Sequence, residues 1–179
     1  MTTDTQHPRF ADPALLAALG VPPDYGTVPM RATYPEAREL KEVGENIVGR
    51  MQLLTPATAE TWQAMCLAAK GGGVELLIVS GFRSFDYQAD LIRSKLDAGQ
   101  FIEDILKVNV APGYSQHHTG DAVDIATPGY KPLLEEFEES PAFEWLHENA
   151  VQYGFTMSYP RDNPEGLAYE PWHWYRNSN

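Results

Sequence analysis

The 179-residue sequence predicts one α+β domain, and three observations carry that expectation. Its length matches a single domain on the usual ~100–200-residue scale. Capped amphipathic segments at helical spacing recur along the chain, and short runs rich in β-branched and aromatic residues are few. Helices come mostly before and between those strands, with no regular strand–helix alternation. Hydrophobic residues make up 43% and charged residues 21%, an ordinary globular composition.

Residues 1–35 hold Pro8, Pro13, Pro22, Pro23, Pro29 and Pro35, with one helix-like piece over 14–19. This segment reads as a Pro-rich arm packed on the domain, whose body runs over 36–179. Thr55 then Pro56 open a helix, a hydroxyl cap followed by the residue that suits the first helical position. Trp62, Met65, Cys66 and Ala69 form its apolar stripe, and the glycines at 71–73 end it. Cys66, the one cysteine, is expected as a buried, inert thiol on that stripe.

Residues 74–80 are apolar and β-branched, hence a strand, and Gly81 turns the chain. Ser84 caps a helix over 85–98, stopped by Gly99, and a short helix over 101–107 follows. Residues 109–120 read as loop, and Ala122–Ala126 as an alternating strand. The acidic run Glu135–Glu139 suits a solvated face. Ser140 and Pro141 open a last helix, with Phe143, Leu146, Ala150 and Tyr153 on one side and Gly154 at its end. Residues 155–159 and 170–175 read as aromatic strands, joined by turn chemistry over 160–169.

Several function classes are excluded or disfavoured. No apolar run approaches the about 20 residues of a membrane span. A net charge of −12, from 25 acids and 13 bases, argues against binding nucleic-acid backbone or an anionic membrane. The opening residues show no basic stretch followed by an apolar one, so no secretory signal is read and a cytoplasmic location is expected. A single cysteine also fits a reducing compartment and cannot by itself build a thiolate metal site.

The chemistry concentrates in two segments. One places His117 seven residues before Asp124 across Gly120; the other places Glu170 three residues before His173. Hydrolytic zinc sites use three imidazole or carboxylate ligands, an open position, and a free carboxylate to take a water proton. His117, Asp124 and His173 can be the ligands and Glu170 the base. Arg83, just past a strand end, can offer a fixed cation to developing negative charge. His118 is the rival to His117. His147 reads as structural and His7 as exposed in the arm. In a regular strand Glu170 and His173 would face opposite ways, so a local bend is required there.

Together these segments resemble the VanY-type D-alanyl-D-alanine carboxypeptidases, zinc peptidases related to lysostaphin-like enzymes. The likeness rests on Ser-Gly-Phe-Arg-Ser at 80–84 with Gln88 beyond it, Ser-x-His-x-x-Gly-x-Ala-x-Asp at 115–124, Tyr-Pro at 159–160 and Glu-Pro-Trp-His at 170–173. The resemblance implies one zinc per chain on His117, Asp124 and His173, with Glu170 as general base and Arg83 catalytic. It places Gln88, Ser115 and Tyr159 along the substrate cleft, and implies a small antiparallel sheet that carries the metal with helices packed against it. The implied partners are peptidoglycan precursor or fragment peptides, and the implied reaction removes a terminal D-amino acid. A lytic endopeptidase and a non-catalytic zinc-stabilised binding module are the alternatives.

Overall fold

The computed structural model describes residues 11–27 and 29–177. His7 and Pro8 lie outside the described residues. The elements in order are α1 (Pro13–Ala18), β1 (Lys41–Glu45), β2 (Met51–Leu54), α2 (Pro56–Gly71), β3 (Leu77–Ser80), α3 (Phe85–Asp97), α4 (Ile102–Val108), β4 (Ala122–Ala126), α5 (Pro141–Asn149), β5 (Phe155–Met157) and β6 (His173–Arg176). The α+β class holds, but with two antiparallel sheets. A four-stranded sheet runs in the order β3-β4-β6-β5, and β1 pairs with β2 in a separate hairpin. That hairpin is absent from the sequence reading, because β1 is largely exposed on both faces and shows no period-two burial.

The helix starts match their capping chemistry. Thr55, Ser84 and Ser140 each accept a bond from the backbone N–H three residues on. Trp62, Met65 and Ala69 of α2 are buried against Ile78, Val123, Ile125 and Trp174 of the sheet. The strand expected over 170–175 begins only at His173, because residues 170–173 form a turn closed by a bond from the His173 N–H to the Glu170 carbonyl, 3.1 Å. Pro171 occupies the second position of that turn, where its fixed φ is favoured. The strand expected over 74–80 starts at Leu77, and the one over 155–159 stops at Met157. The last helix gives way to a 3₁₀ turn over Ala150–Tyr153. In β4, all five residues are buried, so the expected alternation of exposure is replaced by two covered faces. Val123 and Ile125 meet the core, and Asp124 lies between them in sequence on the other face.

Described residues before β1 pack against the domain, the Tyr34 N–H bonding the Gly113 carbonyl and the Ala37 N–H the His118 carbonyl. Leu19 and Val21 share a second apolar cluster with Ala89 and Ile92 of α3, Ile105 and Leu106 of α4, and Ala111. Phe137 is buried while its acidic neighbours in the Glu135–Glu139 turn face outward. Trp174 belongs to the main core and Trp172 packs against it. His147 is exposed on α5, its ring 6.2 Å from that of Phe143.

Cys66 sits half-buried on α2, and burial pushes its thiol up to about 12. The thiolate is the reactive form. Native protein at pH 8 should therefore label slowly with a thiol-specific disulfide reagent, and fast once unfolded in guanidinium. Equal rates in the two states would show that the thiol is not held in this setting.

Candidate metal centre and active-site cleft

Three ligand-type side chains from distant parts of the chain meet on the sheet. In the strand register Asp124 of β4 stands opposite Ser80 of β3 on one side and His173 of β6 on the other. The third group, His117, comes from the 3₁₀ turn Gln116–Thr119 that leads into β4. One donor atom from each of His117, Asp124 and His173 lies within 4.8 Å of the others, and all three residues are buried. His117 Nε2 is 3.2 Å and His173 Nδ1 is 2.9 Å from the same Asp124 oxygen.

The turn that carries His117 is held by local chemistry. Ser115 caps it, its hydroxyl accepting from the His117 N–H at 3.3 Å. Gly120 ends it at φ +70°, a left-handed conformation that favours glycine. A Cβ there would also come within 3.2 Å of the Thr55 backbone nitrogen. That explains the spacing of Gly120 from His117. Around the turn, the Arg83 N–H bonds the His117 carbonyl, the Ala37 N–H bonds the His118 carbonyl, and the Thr55 N–H bonds the Gly120 carbonyl. Asp121, which the sequence reading passed over, accepts from the hydroxyls of Thr55 and Thr58 and ties the turn to the start of α2.

The electrostatics suit cation binding. Burial, helped by the Arg83 charge, lowers the His117 imidazole to about 4, so it is neutral at pH 7. Its Nδ1–H donates to the Gly81 carbonyl at 2.6 Å, which leaves the Nε2 lone pair facing the centre. Burial works against ionised Asp124, but the His117 and His173 rings beside it outweigh this and hold its carboxyl well below the usual range. Neutral imidazole and carboxylate are the donor forms a divalent metal requires.

His118 resolves against metal binding. Its ring is fully buried edge-on to Phe85, with centroids 4.6 Å apart. Its Nδ1–H donates to the Arg83 carbonyl at 2.6 Å, and its Nε2 accepts from the Gly113 N–H at 3.0 Å. Both nitrogens are committed, and the ring anchors Arg83 from behind.

Glu170 lies beside the trio, its Oε2 4.0 Å from His173 Nδ1. Burial, reinforced by Asp124, raises its carboxyl to about 7 against the opposing pull of His173 and Arg83. A carboxylate near neutrality is poised to exchange protons at physiological pH. Arg83 reaches the Gln88 side-chain oxygen at 3.2 Å and Asp124 Oδ2 at 3.4 Å, while its Nε is buried without a hydrogen-bond partner. Gln88 is itself buried and donates to the Val110 carbonyl at 2.8 Å. Ser115 and Tyr159 complete the wall, the Tyr159 ring 4.8 Å from that of His173.

Two spaces meet at Arg83 and Asn109. One is a narrow cavity of about 30 Å³ bounded by Gln88, Ser115, Tyr159 and Leu167 as well as His117, Glu170 and His173. The other is a wide groove of about 700 Å³ between the tip of the β1–β2 hairpin and α3, with Asp124 on its floor. Gln116 is the site residue that sequence reasoning missed. It is buried, and its Oε1 lies 2.8 Å from His173 Nε2. No motif signals it, because a glutamine beside a histidine has no spacing signature.

Comparison with known proteins gives the family and the fold. The family model described as VanY, D-alanyl-D-alanine carboxypeptidase, matches residues 51–177. A D-alanyl-D-alanine carboxypeptidase of Enterococcus faecium is 36% identical over 108 residues, covering 59% of this chain and 31% of that protein. The chain thus spans about a third of that relative's length. Among solved structures, the LdcB LD-carboxypeptidase has a TM-score of 0.69 at 31% identity, covering 79% of this chain and 69% of that one. A variant of a vancomycin-resistance D,D-pentapeptidase VanY in complex with Zn(II) has a TM-score of 0.60 at 26% identity, covering 77% and 78%.

Metal analysis of three variants tests the choice between adjacent histidines. His117→Ala and His173→Ala should each lose divalent-metal binding. His118→Ala should keep full stoichiometry yet lose stability, since it strands two buried backbone groups at about 1–3 kcal/mol each. A His118→Ala protein that folds but binds no metal would refute the assignment.

Proposed function

The chain belongs to the VanY D-alanyl-D-alanine carboxypeptidase family, and we propose that it hydrolyses the terminal D-amino acid from peptidoglycan stem peptides using one zinc ion. The observation that carries the reading is Glu170, a half-buried carboxylate set 4.0 Å from His173 at the edge of a three-donor site it does not join. A purely structural metal site has no use for such a group. Two histidines and one carboxylate, with no cysteine, fit zinc held through His117, Asp124 and His173. When bound, zinc supplies Lewis-acid polarisation of the scissile carbonyl and of water at its open position.

The chain's own residues do the rest. Glu170 takes the proton of the attacking water and returns it to the departing amine. Arg83, fixed by His118 behind and by Gln88 and Asp124 in front, offers positive charge to the substrate's negative oxygens. Gln88, Ser115 and Tyr159 bound the narrow cavity and seat the terminal residue. The wide groove on the far side of Arg83 takes the preceding peptide. A narrow cavity suited to one terminal residue, beside a wide groove suited to the chain, favours exopeptidase over endopeptidase action.

Residues 36–179 are taken as the peptidase domain and 1–35 as an arm upon it. No helix among the described residues is long and apolar enough to cross a membrane. Location in the cytoplasm is supported only by the free thiol of Cys66, and cell fractionation tests it.

The decisive experiment uses Glu170→Gln with synthetic tetrapeptide and pentapeptide stems, products read by mass. The amide keeps the size of the side chain and cannot take the proton. Turnover should fall by about 10²–10⁴-fold with zinc content unchanged. Near wild-type turnover would remove Glu170 as the base, and loss of zinc would make it a ligand. Internal cleavage by the wild type would establish the endopeptidase reading instead.

Chelation gives an independent check. Exhaustive treatment with a zinc chelator should abolish hydrolysis, and added zinc should restore it. Full activity in metal-free protein would refute the assignment of the metal.

A further inference from the structure

We propose that Gln116 is a positioning residue that decides which nitrogen of His173 faces the metal. This rests on the zinc reading above. A neutral imidazole carries one proton and offers one lone pair. His173 has a choice: Nδ1 lies 2.9 Å from Asp124 Oδ1 at the centre, and Nε2 lies 2.8 Å from Gln116 Oε1 on the opposite side. If the proton sits on Nδ1, it bonds Asp124, and histidine and carboxylate satisfy each other where the cation should be. If it sits on Nε2, the Nδ1 lone pair converges with those of His117 Nε2 and Asp124, a set that only a cation satisfies.

The oxygen of an amide accepts and cannot donate, so Gln116 selects the second state. It does for His173 what the Gly81 carbonyl does for His117. The Gln116 side chain also meets two hydroxyls outside the metal loop. Its Oε1 also accepts from the Ser158 hydroxyl at 2.7 Å, and its Nε2 donates to the Tyr34 hydroxyl at 3.4 Å. Tyr34 is fixed by its N–H bond to the Gly113 carbonyl at 2.7 Å and by edge-on contact with Tyr175 of β6. Tyr34 lies outside the residues 51–177 that the family model matches. The segment before β1 therefore takes part in ordering the ligand that β6 supplies. Without Gln116, the Nε2–H of a ring only 2% exposed would lose this acceptor, and the balance would shift toward the state closed on Asp124.

The experiment measures zinc affinity by competition with a chromogenic chelator for wild type, Gln116→Leu and Gln116→Glu. Leucine nearly keeps the volume and removes the acceptor; glutamate keeps an acceptor. Gln116→Leu should bind zinc about 10–100-fold more weakly, and Gln116→Glu should recover most of the loss. In ¹⁵N-histidine NMR spectra of zinc-loaded wild type, His173 should be metallated through Nδ1 and carry its proton on Nε2. A folded Gln116→Leu protein with wild-type affinity, or His173 metallated through Nε2, overturns the proposal. If Gln116→Leu does not fold, the wild-type spectrum and the Gln116→Glu affinity decide. If wild type binds no zinc at all, the metal reading has failed and takes this inference with it.

Discussion

The structure turns on the burial of one carboxylate. Asp124 lies on the central pair of the four-stranded sheet with neighbours on both sides, and it is 5% exposed. An isolated buried charge is very costly unless paired, hydrogen-bonded or bound to metal. Every element around it answers that cost. The turn before β4 brings His117, β6 brings His173 opposite it, and the end of β3 brings Arg83. The strand register fixes His173 among these partners, since a slip of one residue would send it to the other face. Fold and site are thus one constraint: the sheet cannot pair correctly without assembling the centre.

The arginine illustrates how far that constraint reaches. Arg83 stands at the end of β3, where a guanidinium on a loop would ordinarily be mobile. Its backbone N–H is tied to His117 and its carbonyl to His118, so the two adjacent histidines hold the same residue from its two flanking peptide units. One histidine serves the centre and the other the cation beside it. Preorganised charge of this kind needs no rearrangement when a substrate's charge develops.

Much of this was legible in the sequence because it follows short-range rules. Thr55–Pro56, Ser84 and Ser140–Pro141 mark helix starts by capping chemistry, and each was found there. His117, Asp124 and His173 stood out because their residue types and the Gly120 between them have a chemical reason for their spacing. What escaped depends on tertiary context. The β1–β2 hairpin is exposed on both faces and leaves no hydrophobic period. The sequence requires a bend at 170–173, while its form, a turn built on Pro171, is a property of the folded backbone. Gln116 meets Tyr34, Ser158 and His173 from three distant segments, and no local pattern encodes that meeting.

The excursion between β5 and β6 is pinched at its neck, where the Glu170 N–H bonds the Tyr159 carbonyl at 3.1 Å. Everything from 160 to 169 hangs outside that clasp, and the next turn delivers His173 to its register. The length of a loop closed in this way has little thermodynamic weight, each doubling adding only about 0.6 kcal/mol of closure entropy. The loop beyond the clasp is anchored in its turn, the Ala168 N–H bonding the Lys107 carbonyl at 3.2 Å and Arg161 pairing with Glu138. His117, Asp124, Glu170 and His173 all lie outside that loop, while Leu167, which borders the narrow cavity, lies within it. Sequence change confined to residues 160–169 can therefore reshape one wall of the cavity while leaving the three-donor cluster in its register.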